Sequence, residues 1–394
     1  MSSPSAGGSP ATAEEHVHRF ISDLITSILS DLTGPNARAS ITIKQRFQRG
    51  CIFRLTPFDK EGGGALGVTA IGPEIYTTYS WPGKTLYETW KFSTALRVIS
   101  LIYATIVEDS IITKRDIYYN DPALFGSQRV VDRLVDDLAY TIGVDRAALH
   151  VTSVAKGLTA GYYRLTTKTQ TLLDIGEGSS SEDILIPRPE DIDSIDISEI
   201  NWVLVIEKEA VLRRLVRNRY HMNSAAGKGI LITGKGYPDL CTRSFVHLLS
   251  ETARRNGDPL SQPGVATPRF YALVDGDPDG MAIMSTYKYG SMAHAHESAR
   301  LNAPGLQWLG VRISDLVVEA ETRGDGTLIP LTSRDWKRAR AILANSPAFA
   351  EDGPELEWRA ELQTMLMLNL KAETEFLYER EGALEGWIDQ KMVW

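Results

Sequence analysis

The chain has 394 residues, 43% of them apolar and 23% charged, with a formal net charge of −8. That length predicts two or three domains with sizeable cores, and the acidic balance excludes a uniformly basic coat, so any phosphate binding has to rely on local Lys and Arg patches. Only two cysteines are present, Cys51 and Cys241; they exclude a disulfide framework and a zinc ribbon and fit a reducing compartment.

In chain order, residues 1–13 are Ser, Gly, Pro and Ala without periodicity and are expected to be a disordered tail. No basic segment followed by an apolar core and a cleavage site opens the chain, so no secretory signal is expected. From about Ala13, Phe20, Leu24, Ile28 and Leu32 recur every four residues and predict an amphipathic helix. Packing on its own domain and docking a partner both fit that helix. A strand-like stretch, Ile41 to Leu55, follows, then a Gly-rich turn at Gly62 to Gly64 and a long helix from Leu86 to Val107. The apolar part of that helix is short and interrupted, which predicts a buried helix rather than a membrane span. Thr113 and Asp116 form a capping box at the start of a short helix. A further helix is expected over Ala123 to Ile142. Strand-like runs at His150 to Val154 and Gly161 to Thr167 then suggest a two-stranded wing on a helix-turn-helix unit.

Residues 174–200 carry nine acidic residues against one basic residue, Arg188, and are expected to be an acidic interdomain linker. Beyond it, strand signals at Trp202 to Ile206, Ile230 to Thr233, Phe270 to Val274 and Trp308 to Val311 alternate with helices, which predicts a parallel sheet covered on both faces. From Ser333 the pattern is helical, with Trp336 to Leu343 and Glu355 to Arg380 as the main pieces.

The acidic set carries the clearest chemistry. Glu207 follows Val-Leu-Val-Ile, and Asp275, Asp277 and Asp279 follow Tyr-Ala-Leu-Val. Both groups fall at the carboxyl ends of expected parallel strands, where open α/β sheets place ligands. Asp275 and Asp277 are two apart and share one side while the chain is extended. Clustered carboxylates favour a cation, and Mg²⁺ suits them because it takes one or two carboxylates, keeps waters and binds phosphate oxygens. Asp, Gly and Pro also favour turns on their own account; the strand-end Glu207 favours the metal. Gly229 to Lys235 has the outer spacing of a phosphate-binding loop, but Gly236 stands where Ser or Thr is required and the inner residues read as a strand, so ATP binding there is not expected.

In Lys114-Arg115-Asp116-Ile117-Tyr118-Tyr119, Arg115 and Tyr119 are four apart and share a helical face. A phenol with a pKa near ~10 is a poor nucleophile at neutral pH. A guanidinium beside it favours the phenolate and can hold a phosphate oxygen. The alternative is that both tyrosines are core aromatics. Candidate phosphate contacts are Lys44, Arg46 and Arg49; Arg129 and Arg133; and Arg213, Arg214, Arg217 and Arg219. His294 and His296 are two apart, the wrong spacing for a shared helical face, and are assigned no metal.

The stretch from Thr113 through Gln128, together with Val203 to Glu209, Ile230 to Asp239 and Val274 to Gly280, resembles the topoisomerase VI A-subunit family: a catalytic-tyrosine motif followed by Toprim signatures in the expected order. The resemblance spans roughly residues 85 to 380 and is to the family's eukaryotic meiotic branch, which makes the double-strand breaks of recombination. It implies an α/β multidomain fold: N-terminal helix and strands over 14–84, a winged-helix domain over 85–173, and a Toprim domain with C-terminal helices over 201–394. It implies Tyr119 as nucleophile with Arg115, Glu207, Asp275 and Asp277 as Mg²⁺ ligands, and Lys156 and Lys235 near DNA. Asp279 departs from the family pattern. The implied partners are double-stranded DNA, a second copy of the chain on DNA, a topoisomerase VI B-like subunit docking on the helix over 14–34, and meiotic accessory proteins, in the nucleus and with no membrane. The competing readings are a non-catalytic DNA binder and the DNA-cutting half of a relaxing type IIB topoisomerase.

Overall fold

The computed structural model describes residues 13–35, 37–46, 52–57, 65–152, 155–175, 183–257, 267–292, 295, 300–317, 328–378 and 383–393. Residues 1–12 of the expected tail, the Gly62–Gly64 turn, Arg49, Cys51 and the His294/His296 pair lie outside them. The chain divides into two compact units, one from residues up to 51 and 72–154, the other from 52–71 and 155–394.

The first unit opens with α1 (Ala13–Thr33), which buries Val17, Ile21 and Ile28 and leaves Ile25, Leu29 and Leu32 exposed. Strand β1 (Ala39–Lys44) alternates buried and solvent-facing residues, with Ala39, Ile41 and Ile43 inward. The hairpin β2 (Ile52–Pro57) and β3 (Leu66–Ile71) belongs to the second unit. The chain then returns with β4 (Tyr76–Trp81), antiparallel to β1 with Ile41 opposite Tyr79. Thr85 caps α2 (Leu86–Val107) by accepting from the Glu88 amide. By length and composition α2 matches a bilayer-crossing helix, but Phe92, Ala95, Val98, Ile99 and Ile102 make it the core of this unit. The two-residue strand β5 (Ile112–Thr113) leads into α3 (Lys114–Asn120), whose Thr113/Asp116 capping box is formed in both directions. The helix expected over Ala123 to Ile142 is two: α4 (Pro122–Phe125) and α5 (Gln128–Ile142). Gly126, at φ 69°, takes a left-handed turn between them that a side chain would resist. β6 (Val151–Thr152) closes the unit in parallel with β5.

The expected wing does not form. Its first strand, β6, pairs with β5, while the second contributes to sheets of the other unit. All four residues of β7 (Leu158–Gly161) are buried, as an interior sheet strand requires. β8 (Arg164–Thr167), β9 (Leu172–Asp174) and β11 (Ile192–Asp196) make a three-stranded sheet, and β10 (Ile184–Leu185) pairs with β7. Residues 183–200, expected as linker, are therefore folded. Ile186, Ile192, Ile195, Ile197 and Ile200 are buried there, an apolar series that the surrounding acids concealed.

The main sheet has the order β10–β7–β13–β12–β14–β15, where β12 is Trp202–Ile206, β13 Gly229–Thr233, β14 Arg269–Leu273 and β15 Leu306–Gly310. The last four strands are parallel as expected; β7 runs antiparallel beside β13 and β10 antiparallel beside β7, so the sheet is mixed. Five consecutive buried residues in each of β12 and β13 reflect cover on both faces. That cover includes α6 (Glu209–Arg217), α7 (Tyr220–Asn223), α8 (Leu240–Asn256) and α9 (Pro278–Tyr289). Farther on come α10 (Ser333–Asn345), α11 (Leu356–Leu368) and α12 (Ala383–Val393). The helix expected to run to Arg380 stops at Asn369, at φ 57°, and residues 370–371 pair with 329–330.

Candidate active site

The strand ends bring the acids together. Glu207 follows β12, and its Oε2 accepts from the Asp275 amide at 3.0 Å. Asp277 is the N-cap of α9, its Oδ1 accepting from the Gly280 amide at 2.7 Å. Gly280 is required by this packing: a Cβ there would stand 2.4 Å from the Asp275 carbonyl oxygen and 3.1 Å from Glu207 Oε2. Burial, then the charge of Asp275 and of Asp277, pushes the Glu207 carboxyl up to about 8. Burial, with the charges of Asp275 and Asp279 adding to it, likewise raises Asp277.

Asp275 is engaged differently. It is buried, its Oδ1 accepts from the Thr374 amide at 2.8 Å and hydroxyl at 2.6 Å, and its Oδ2 lies 2.9 Å from Lys208 Nζ. Lys208 also pairs with Glu375 and, at 3.5 Å, with Glu373. Burial works against its charge, but the hydrogen bonds to Glu375 and Asp275 hold it above the ordinary lysine range. The segment after α11 reaches this point because Gly276 and Ala372 exchange backbone hydrogen bonds of 2.9 and 3.1 Å. Sequence reasoning missed Lys208, Thr374, Glu373 and Glu375. Lys208 lay in plain view between two glutamates, whereas nothing local marks a segment about a hundred residues downstream.

Among the described residues no three His, Cys, Asp or Glu side chains stand ready to hold a metal ion. The reason is visible in Asp275, whose oxygens are taken by Lys208 and Thr374. The donor set nevertheless fits Mg²⁺, a hard cation that needs only one or two carboxylates. Glu207 and Asp277 supply them, and a cation there would offset the burial and, after it, the charge crowding that raise both carboxyls. Asp279 faces α10, with Oδ1 3.2 Å from Arg338 Nε and Oδ2 3.6 Å from Arg334.

In the first unit, Tyr119 is 65% exposed, which rules out the core-aromatic alternative for it; Tyr118 packs against the core instead. Their ring centroids are 5.4 Å apart. Arg115 is exposed on the same helix. Arg129 and Arg133 are exposed one turn apart on α5. Arg46 is no surface contact: its side chain is 6% exposed, with Nη1 3.2 Å from Asp136 and Nε 2.8 Å from Asp137. Asp136 also holds Lys114, at the start of α3, and Arg146 at 3.2 Å. Lys44 is tied to Glu74.

In the second unit, Lys156 Nζ donates to the Tyr237 carbonyl at 2.7 Å, and Lys235 lies 3.1 Å from Glu209. Arg213 pairs with Glu209 and Asp183, Arg214 stacks 4.6 Å over the Tyr378 ring, and Arg217 and Arg219 are exposed.

Buried parallel strands whose carboxyl ends carry a glutamate and an Asp-Gly-Asp turn define a Toprim-type α/β unit. Residues 202–384 match the family model for the Toprim domain of the topoisomerase 6 A-subunit/Spo11 proteins, and residues 90–151 match the model "Type IIB DNA topoisomerase". The chain is 35% identical to the human meiotic recombination protein SPO11 over 73% of its own length and 67% of that protein. It is 33% identical to the meiotic recombination protein rec12 of Schizosaccharomyces pombe, covering 75% of each. Identity to the DNA topoisomerase 6 A-subunit of Arabidopsis thaliana is 30%, over 73% of this chain and 62% of that one. The chain belongs to the topoisomerase 6 A-subunit/Spo11 family.

Proposed function

We propose that this protein is a tyrosine transesterase that cuts duplex DNA, making the double-strand breaks that start meiotic recombination. The observation that carries the reading is an exposed Tyr119 on a capped helix, in a chain whose Toprim-type unit gathers Glu207, Asp275 and Asp277. In the proposed step the Tyr119 oxygen forms a bond to a backbone phosphorus, the bond to the 3′ oxygen breaks, the phenolic proton is released, and the 3′ oxygen gains a proton. One phosphodiester replaces another, so no ATP is consumed. Arg115 holds a non-bridging oxygen as charge develops on the phosphate. Mg²⁺, held by Glu207 and Asp277 and by Asp275 once Lys208 yields it, would supply Lewis-acid stabilisation.

The first unit is read as a winged-helix type of DNA reader, with α3 and α5 presenting Tyr119, Arg115, Arg129 and Arg133, and β1 with β4 as its appendage. Lys156 and Lys235 line the DNA path on the second unit. Two copies act on one duplex, each cutting one strand, with the tyrosine of one protomer serving the carboxylates of its partner. The exposed Ile25, Leu29 and Leu32 of α1 suit a B-like subunit. Meiotic accessory proteins and a nuclear location complete the reading. Incubation with duplex DNA and Mg²⁺, followed by denaturation, is expected to leave protein on 5′ ends, with Tyr119 as the linked residue. Tyr119→Phe is expected to abolish the adduct and keep DNA binding. Adducts formed by the Phe variant sink the assignment; ATP-driven relaxation with a B-type partner favours the topoisomerase reading.

A further inference from the structure

The two adjacent cations at the start of α3 part company. Arg115 is exposed, whereas the Lys114 side chain is only 12% exposed. The Lys114 ammonium pairs with Asp136 and donates to the Asp132 carbonyl at 3.2 Å. Asp136 is the hub for three cations from three parts of the unit: Lys114 on α3, Arg46 beyond β1, and Arg146 in the turn after α5. Asp137 takes the Nε side of Arg46. Arg146 reaches α3 by a second route. Its carbonyl accepts from the Leu149 and Val151 amides, both at 3.1 Å. Val151–Thr152 in turn pairs with Ile112–Thr113, the strand that runs straight into α3. Asp136 therefore grips the start of α3 twice, once through Lys114 and once through Arg146 and the β6–β5 pair.

We propose that Asp136 and Lys114 are positioning residues for Tyr119: their buried ion pair sets the seat and the rotation of α3, and so the place where the phenol meets a phosphate. Seven residues are too few for a helix to hold its own shape in water. Ile117 packs into the core, but an apolar contact is non-directional and lets a short helix turn or slide. An ion pair to a fixed carboxylate is directional. A buried ion cluster is seldom worth more to stability than apolar side chains of the same volume, and its best-attested use is to fix a register. Here the register is that of α3. With Lys114 turned inward, Arg115 and Tyr119, on one helical face, are both exposed. Tyr119 lies about 7.5 Å along the helix axis from Lys114, so a change of seat at the anchor is carried to the phenol. Misplacing a reacting atom by about 1 Å costs about 100-fold in rate. The inference rests on the reading of Tyr119 as nucleophile.

Lys114→Met keeps the apolar stem and removes the ammonium. Asp136 retains Arg46 and Arg146 in this variant, so the fold is kept. Deuterium exchange read by mass spectrometry, on full-length protein without DNA, is expected to run about tenfold faster at the amides of Tyr118 to Asn120. Adduct formation on duplex DNA with Mg²⁺ is expected to slow about 10- to 100-fold while DNA affinity holds. Val98→Ala, in the buried middle of α2, is the control for stability alone. It is expected to lower the melting temperature and to leave both α3 exchange and adduct rate at wild-type values. Asp136→Asn is expected to slow the adduct at least as much as Lys114→Met, and the double variant to be no slower than Asp136→Asn, because the pair acts as one unit. Unaltered α3 exchange in Lys114→Met overturns the anchor. So does an adduct rate that falls in step with melting temperature in Lys114→Met and Val98→Ala alike, or a double variant slowed by the product of the two single effects. Wild type that never links through Tyr119 sinks the cleavage reading, while the exchange measurement still decides the anchor. Wild type and Lys114→Met that form the adduct at one rate keep that reading and remove the anchor.

Discussion

Replacing Glu207 by Gln removes a titration that burial and two neighbouring carboxylates displace from near 4.5 to about 8. Between those values the folded protein keeps a proton that the unfolded chain has released. The folded state then binds more protons, so stability falls as pH rises through the window; the contribution is fully present below about pH 4.5 and gone above about pH 8. At about 1.4 kcal/mol per pH unit, the ceiling is on the order of 5 kcal/mol. Partial solvation of the site reduces that to about 2 to 3 kcal/mol. Urea unfolding midpoints of wild type and Glu207→Gln, taken in EDTA from about pH 5 to about pH 9, measure the difference directly. The wild-type curve is expected to drop relative to the variant across the window. Mg²⁺ is expected to restore wild type chiefly above about pH 7, where the carboxylate is ready to ionise. Parallel curves for the two proteins at every pH would refute the displaced titration and the crowding of charge behind it.

In the first unit, Asp136→Asn leaves Lys114, Arg46 and Arg146 without their shared counter-ion. Removing one partner of such a buried pair costs about 3 to 5 kcal/mol, read as a lowered urea midpoint. Burial opposes ionisation of Asp136, yet Arg146, Lys114 and Arg46 hold its carboxyl below the ordinary range. Its contribution is therefore present at neutral pH and lost as pH falls through that lowered value. In the second unit, Gly280→Ala drives a methyl to 2.4 Å from the Asp275 carbonyl oxygen. A loss of about 1 to 3 kcal/mol in unfolding free energy is expected, together with weaker Mg²⁺ stabilisation.

The buried strands and their acids were legible because continuous apolar runs ending in Glu207 and Asp275 fit little besides covered parallel strands in an α/β pattern. The capping box at Thr113 was legible because its chemistry is local. The acidic stretch misled because charge was counted while Ile192, Ile195 and Ile197 supplied a sheet face among the acids. The wing misled because strand propensity does not name a strand's neighbour: Val151–Thr152 pairs with Ile112–Thr113, and Arg164–Thr167 pairs with β9 and β11. Arg46 looked like a phosphate contact by charge alone, and only the fold brings Asp136 and Asp137 to it. Likewise the tie from Thr374 to Asp275 is a product of chain path and leaves no mark in either segment.

Lys208 gives the acid pocket a counter-ion made of its own chain. Sheet and helices can close around Asp275 because an ammonium neutralises one of its oxygens and Thr374 donates twice to the other, which spares the fold a bare charge in its interior.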